Sequence, residues 1–134
     1  LERRNELLQE KYRTMKVRDV LYQTYDVGDA ELIVVSFGIA ARIAIAAVRM
    51  LREEGGKIGH FRPVTLFPFP ERQLRELAGP GRRFMTVELN AGQMVEDVRL
   101  AVNGKSEVLF YGRPGGAIIT PEELYERLKE ELKG

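Results

Sequence analysis

The stretch Phe84-Met85-Thr86-Val87-Glu88-Leu89-Asn90-Ala91-Gly92-Gln93-Met94-Val95-Glu96-Asp97-Val98-Arg99-Leu100-Ala101-Val102 decides the fold. Phe84 to Glu88 alternates with the two-residue period of a strand and is rich in β-branched and aromatic residues. From Met94 the period changes. Met94, Val95, Val98, Ala101 and Val102 share one helical face, and Glu96, Asp97 and Arg99 take the other. Between the two elements Asn90 stands in the N-cap position of a helix from Ala91, with Gln93 three residues on, as in a capping box. A strand that turns straight into a helix is the unit of an α/β sheet, and ligands or partners meet such sheets beyond the carboxyl ends of the strands.

The same unit recurs on either side. Leu32-Ile33-Val34-Val35 is apolar at every position, as a strand covered on both faces must be. Ser36-Phe37-Gly38 turns it into an alanine-rich helix over 39–54, closed by Gly55-Gly56. That turn has one glycine and no Gly-x-Gly-x-x-Gly, so it carries no dinucleotide fingerprint. A short strand over 57–61 holds His60, read here as a packed or half-exposed side chain and not as a catalyst. Arg62-Pro63-Val64-Thr65-Leu66-Phe67-Pro68-Phe69-Pro70 carries three prolines, which predicts a stiff extended loop whose Phe67 and Phe69 need a partner.

A short helix is expected over 71–78 and a last strand over 107–111. After it comes the glycine-rich loop Gly112-Arg113-Pro114-Gly115-Gly116, read either as an anion-facing loop or as an ordinary turn. Thr120-Pro121-Glu122-Glu123 starts the final helix with an N-cap, a proline at the first position and a glutamate at the third.

Upstream, Val20 to Tyr25 is mixed in polarity, as an edge strand would be. Residues 1–16 carry a narrow stripe of Leu1, Leu8, Tyr12 and Met15 at helical spacing. This predicts a connecting helix over 1–16 ahead of one α/β domain over 17–134. The expected architecture has three layers, α/β/α, around a five-stranded, mostly parallel sheet. Four turns then share its carboxyl edge, and they hold the candidate interface or anion-binding residues Ser36, Arg62, Phe67, Phe69, Glu88, Asn90, Gln93 and Arg113.

Composition narrows the function. The 21 basic and 20 acidic side chains are interspersed at a net charge of +1, so there is no basic stripe for nucleic acid. With no cysteine the chain has no disulfide, thiol nucleophile or cluster ligand of its own, and one histidine makes no histidine metal site. The longest apolar run, 39–48, is interrupted by Arg42 and falls short of the ~20 residues that span a bilayer. The opening on Leu1 without a signal peptide suggests a piece of a longer, cytoplasmic protein.

Three runs, Arg62 to Pro70, Val87 to Arg99 and Tyr111 to Gly116, together resemble the C-terminal part of the alpha subunit of 2-oxoacid:ferredoxin oxidoreductases. The resemblance implies a transketolase C-terminal-like domain whose first strand is antiparallel to the rest. It also implies an enzyme that decarboxylates and oxidises pyruvate, 2-oxoglutarate or a branched-chain 2-oxoacid, with coenzyme A as acyl acceptor and ferredoxin as electron acceptor. Thiamine diphosphate, Mg and iron-sulfur clusters are expected elsewhere in the complex. The expected partners are the N-terminal part of the alpha subunit and the beta and other subunits. Gly28-Asp29-Ala30 lacks the Gly-Asp-Gly of the diphosphate–magnesium motif, and His60 departs from the aliphatic residue the family often has nearby. No catalytic, cofactor-binding or metal-ligating residue is therefore assigned, and the chain alone is expected to be inactive. The alternative is a stand-alone α/β module that takes a small anion or nucleotide at the carboxyl edge through Arg62, Arg113 and a helix N-terminus.

Overall fold

A computed structural model describes residues 12–17, 20–64, 68–89, 93–113 and 118–133. Strands β1 (Tyr12–Val17), β2 (Val20–Tyr25), β3 (Leu32–Val35), β4 (Ile58–Pro63), β5 (Arg83–Glu88) and β6 (Val108–Gly112) form one sheet in the order β1-β2-β4-β3-β5-β6. Pairings β1–β2 and β2–β4 are antiparallel, and β4–β3, β3–β5 and β5–β6 are parallel. Helices α1 (Gly38–Glu53), α2 (Glu71–Leu77), α3 (Gln93–Val102) and α4 (Pro121–Lys133) follow β3, β4, β5 and β6.

The period of two in the strands divides the core into two layers. Leu32, Val34, Met85 and Val87 face α1 and α4, packing on Ala40, Ala44, Ala47, Val48, Leu124 and Leu128. Ile33, Val35 and Phe84 face the other way, against Leu74 of α2 and Met94, Val98 and Ala101 of α3. β3 is buried on both sides at every residue, because helices cover both of its faces. The small side chains of α1 let it lie close to the sheet and to α4 at once.

The local chemistry of the turns explains the element ends. Gly55 has φ +91 and, with Gly56, donates to the last carbonyls of α1, as a helix C-terminus requires. Thr120 Oγ1 accepts the Glu123 N–H at 3.1 Å, the expected cap of α4. At Gly59 the backbone of β2 passes so close that a Cβ would lie 2.5 Å from the Asp26 carbonyl oxygen. Only glycine fits there.

Two expectations need correction. The sheet has six strands and not five, because Tyr12–Val17 is a strand where the apolar spacing predicts the end of a helix. β2 offers this segment a full ladder, from Tyr12↔Tyr25 to Val17↔Val20, and that pairing outweighs a narrow helical stripe. Residues 1–11 of the expected connecting helix lie outside the described residues. Second, Arg62 and Pro63 belong to β4 and not to a loop. Pairing with β3 ends at Phe61, so Pro63 has a strand neighbour on one side only, where a missing N–H is tolerated. The helix start expected at Ala91 lies outside the described residues, and α3 is described from Gln93.

Candidate functional site

β4 and β5 lie on opposite sides of β3, so the chain reverses direction across the sheet at the carboxyl end of β3. Such a switch point is where open α/β sheets bind ligands. Its polar groups are Ser36 at the end of β3, His60 in β4 and Glu88 at the end of β5, all buried.

Ser36 and His60 sit on the α1 side of the sheet, in the strand parity of Val34 and Ile58. Their Oγ and Nε2 atoms are 2.5 Å apart, a short buried hydrogen bond. Burial, helped by the nearby Arg62 charge, pushes the His60 pKa down to about 3, so the imidazole is neutral at physiological pH. The Ser36 hydroxyl is thereby drawn to the neighbouring strand, and α1 begins after Phe37, its N-cap residue, without a side-chain cap.

Glu88 serves the opposite face. Its Oε1 accepts the Met94 N–H at 2.7 Å and its Oε2 the Val95 N–H at 3.1 Å. These are two of the N–H groups that a helix leaves unpaired at its N-terminus. The strand itself thus caps the helix that follows it, a duty the sequence pattern assigns to Asn90. Asn90, Phe67 and the side chain of Gln93 lie outside the described residues.

The arginines at the edge also have partners within the chain. Arg113 Nη2 donates to Glu123 Oε2 at the start of α4, while the Arg113 backbone N–H donates to the Glu88 carbonyl at 3.3 Å. Arg62 Nη1 donates to Gln23 Oε1 at 3.2 Å, and Gln23 Nε2 donates to Thr14 Oγ1 at 3.0 Å, a chain of contacts from β4 across β2 to β1. Phe69 is half-buried against the core beneath α2 and α3. Of the residues singled out from sequence, Ser36 and Glu88 lie at the switch point, Arg62 and Arg113 flank it, and Phe69 packs into the domain. The Ser36–His60 contact was missed. Its only signal was a lone serine and a lone histidine at the ends of two apolar strands.

This arrangement does not fit a magnesium diphosphate. Asp29, the one acid of the Gly28-Asp29-Ala30 turn, lies at the opposite edge, bound to Arg52 Nη2 at 2.5 Å. That contact holds its carboxyl below the usual range. Among the described residues no cluster of three or more histidines or acids is placed to hold a metal ion. A groove of about 210 Å³ lies elsewhere, between α2 and the β1–β2 pair, floored by Met15, Tyr22, Phe61 and Leu77. It is smaller than the ~300 Å³ at which ligand pockets begin. No helix among the described residues is long and apolar enough to cross a membrane.

Comparison with known proteins gives a consistent set. Residues 30–124 match the family described as pyruvate:ferredoxin oxidoreductase core domain II. The chain is 45% identical over 130 residues to the ketoisovalerate oxidoreductase subunit VorB of Methanothermobacter thermautotrophicus, covering 97% of this chain and 37% of that one. It is 37% identical over 100 residues to the 2-oxoglutarate synthase subunit KorA of Methanothermobacter marburgensis, covering 75% of this chain and 27% of the relative. The chain thus spans 37% of the length of VorB and 27% of that of KorA. In fold it is similar to 2-oxoglutarate:ferredoxin oxidoreductase from Magnetococcus marinus, with a TM-score of 0.64 and 21% identity over 96% of this chain and 21% of that one. A split-gene transketolase shares the fold at a TM-score of 0.61 and 20% identity, over 79% of this chain and 39% of that one.

Proposed function

Because the chain belongs to the pyruvate:ferredoxin oxidoreductase core domain II family, we propose that it is the accessory, assembly-forming domain of a thiamine-diphosphate-dependent 2-oxoacid:ferredoxin oxidoreductase. In that enzyme a 2-oxoacid loses carbon dioxide, its acyl group passes to coenzyme A and its electrons to ferredoxin. The thiamine diphosphate, Mg and iron-sulfur clusters sit on other parts of the complex, in the cytoplasm. This chain supplies a rigid α/β body whose carboxyl edge meets those parts.

The single observation that carries the reading is that the polar groups described at that edge are engaged within the chain. Ser36, His60 and Glu88 are buried, and each bonds within the chain. Arg62 and Arg113 are also engaged. Groups so occupied hold a fold together, whereas a catalytic or anion-binding set would point its donors into an open pocket. The same contacts weigh against the stand-alone anion module.

The similarity to VorB extends over more of the chain, at higher identity, than that to KorA. A branched-chain 2-oxoacid is therefore the proposed substrate. The test is coenzyme A-dependent reduction of ferredoxin by the purified complex that carries this chain, with ketoisovalerate, 2-oxoglutarate and pyruvate in parallel. Ketoisovalerate should give the highest kcat/KM. A complex that oxidises no 2-oxoacid contradicts the assignment, and one that prefers 2-oxoglutarate contradicts only the choice of substrate.

A further inference from the structure

Six large apolar side chains are exposed among the described residues, and three of them, Ile39, Val64 and Ile118, stand at the carboxyl edge. Ile39 is 69% exposed in the first turn of α1 and Ile118 is 76% exposed just before α4. α1 and α4 pack against each other and both begin at this edge, which sets the two isoleucines on the same side of the sheet. Val64, 42% exposed, follows β4, the strand beside β3. Arg42, one turn into α1, is exposed and has no ion-pair or hydrogen-bond partner among the described residues. The first turn of α1 contains no acid. Among the described residues the edge therefore presents apolar side chains, with a positive charge on its α1 half that no described acid pairs.

We infer that this patch, and not the polar residues of the switch point, is the docking surface of the domain. Its occupant is the part of the enzyme that the relatives carry and this chain does not span. That occupant meets Ile39 and Ile118 with apolar side chains and sets an acidic residue opposite Arg42. Two observations support this choice. About two thirds of a VorB-type subunit lies outside the matched region, so the domain has a large neighbour to meet. Apolar side chains that water would otherwise cover lie beside an unpaired cation, a pattern that fits a protein surface of opposite charge.

The inference rests on the proposed function, and the experiment separates the two. The chain contains no cysteine, so one thiol can be placed at will and its peptide followed by mass spectrometry. Ile39→Cys, Ile118→Cys and Lys105→Cys are each introduced into the assembled complex and labelled with a maleimide. Lys105, exposed in the turn after α3, lies at the opposite edge of the sheet. Each rate is referred to that of the same variant unfolded in guanidinium. Ile39→Cys and Ile118→Cys should react at least tenfold more slowly than when unfolded, with Lys105→Cys reacting at close to its unfolded rate. Reaction of either edge thiol at the rate of Lys105→Cys overturns the inference. Protection that rises with concentration of the 134-residue chain by itself assigns the patch to a second copy and also overturns it. 2-oxoacid turnover by the unmodified complex is measured separately, so a failure of the docking surface leaves the enzyme assignment standing.

Discussion

Glu88 does by itself what a helix N-terminus usually asks of a cap and a neighbouring acid. Its two oxygens take adjacent N–H groups in a site closed to water. Glu88→Ala leaves both donors unpaired, and urea unfolding should show a loss of about 2–4 kcal/mol. Glu88→Gln keeps one acceptor oxygen and should lose less. The neutral His60 makes a second prediction. Its folded pKa of about 3 lies below the unfolded 6.5, so the unfolded chain binds the proton first. The contribution is complete above pH 6.5 and is lost as pH falls toward 3. The unfolding free energy should decline over that window with a slope approaching 1.4 kcal/mol per pH unit from this residue, by about one proton's worth of linkage. His60→Asn should remove that part of the slope, and an unchanged pH profile in the variant would count against a buried neutral imidazole. At this scale the sequence was only half legible. Glu88 reads as a polar residue at the end of a strand, but its partners lie six and seven residues on. The Ser36–His60 contact depends on which strands become neighbours, which spacing along the chain does not state.

At the scale of elements, hydrophobic period and cap chemistry carried the reading where they were unambiguous. β3, β5, α1 and α4 stand where the pattern sets them, because their apolar faces, Gly55-Gly56 and the Thr120 cap agree with one another. β1 was not legible. Tyr12 and Met15 are three residues apart, which suits a helix, and the strand exists because β2 pairs with it. The alanine face of α1 is the element most exposed to overpacking, since it touches the sheet and α4 together. Ala44 is wholly buried in the layer that also holds Val34 and Leu128. Ala44→Leu should cost about 1–3 kcal/mol in chemical denaturation. A variant as stable as the parent would mean that α1 lies farther from the sheet than described.

At the scale of the whole molecule, the polar contacts near the carboxyl edge run within the chain. The half-exposed Arg113–Glu123 pair ties the end of β6 to α4, and such pairs contribute less than about 1 kcal/mol. Arg113→Ala should therefore move the melting temperature of the chain little, and a large drop would make this contact a main support of the fold. The central claim is that the polar switch point serves the fold and takes no part in the chemistry. Ser36 tests it best, because its hydroxyl, hydrogen-bonded to a neutral imidazole, is the group here that most resembles a nucleophile and its base. The decisive measurement is steady-state 2-oxoacid oxidation by the assembled complex carrying Ser36→Ala. The account predicts kcat and KM within about twofold of the parent, whereas a fall in kcat on the order of 10²-fold or more, the scale of a lost acid–base or nucleophilic group, would contradict it.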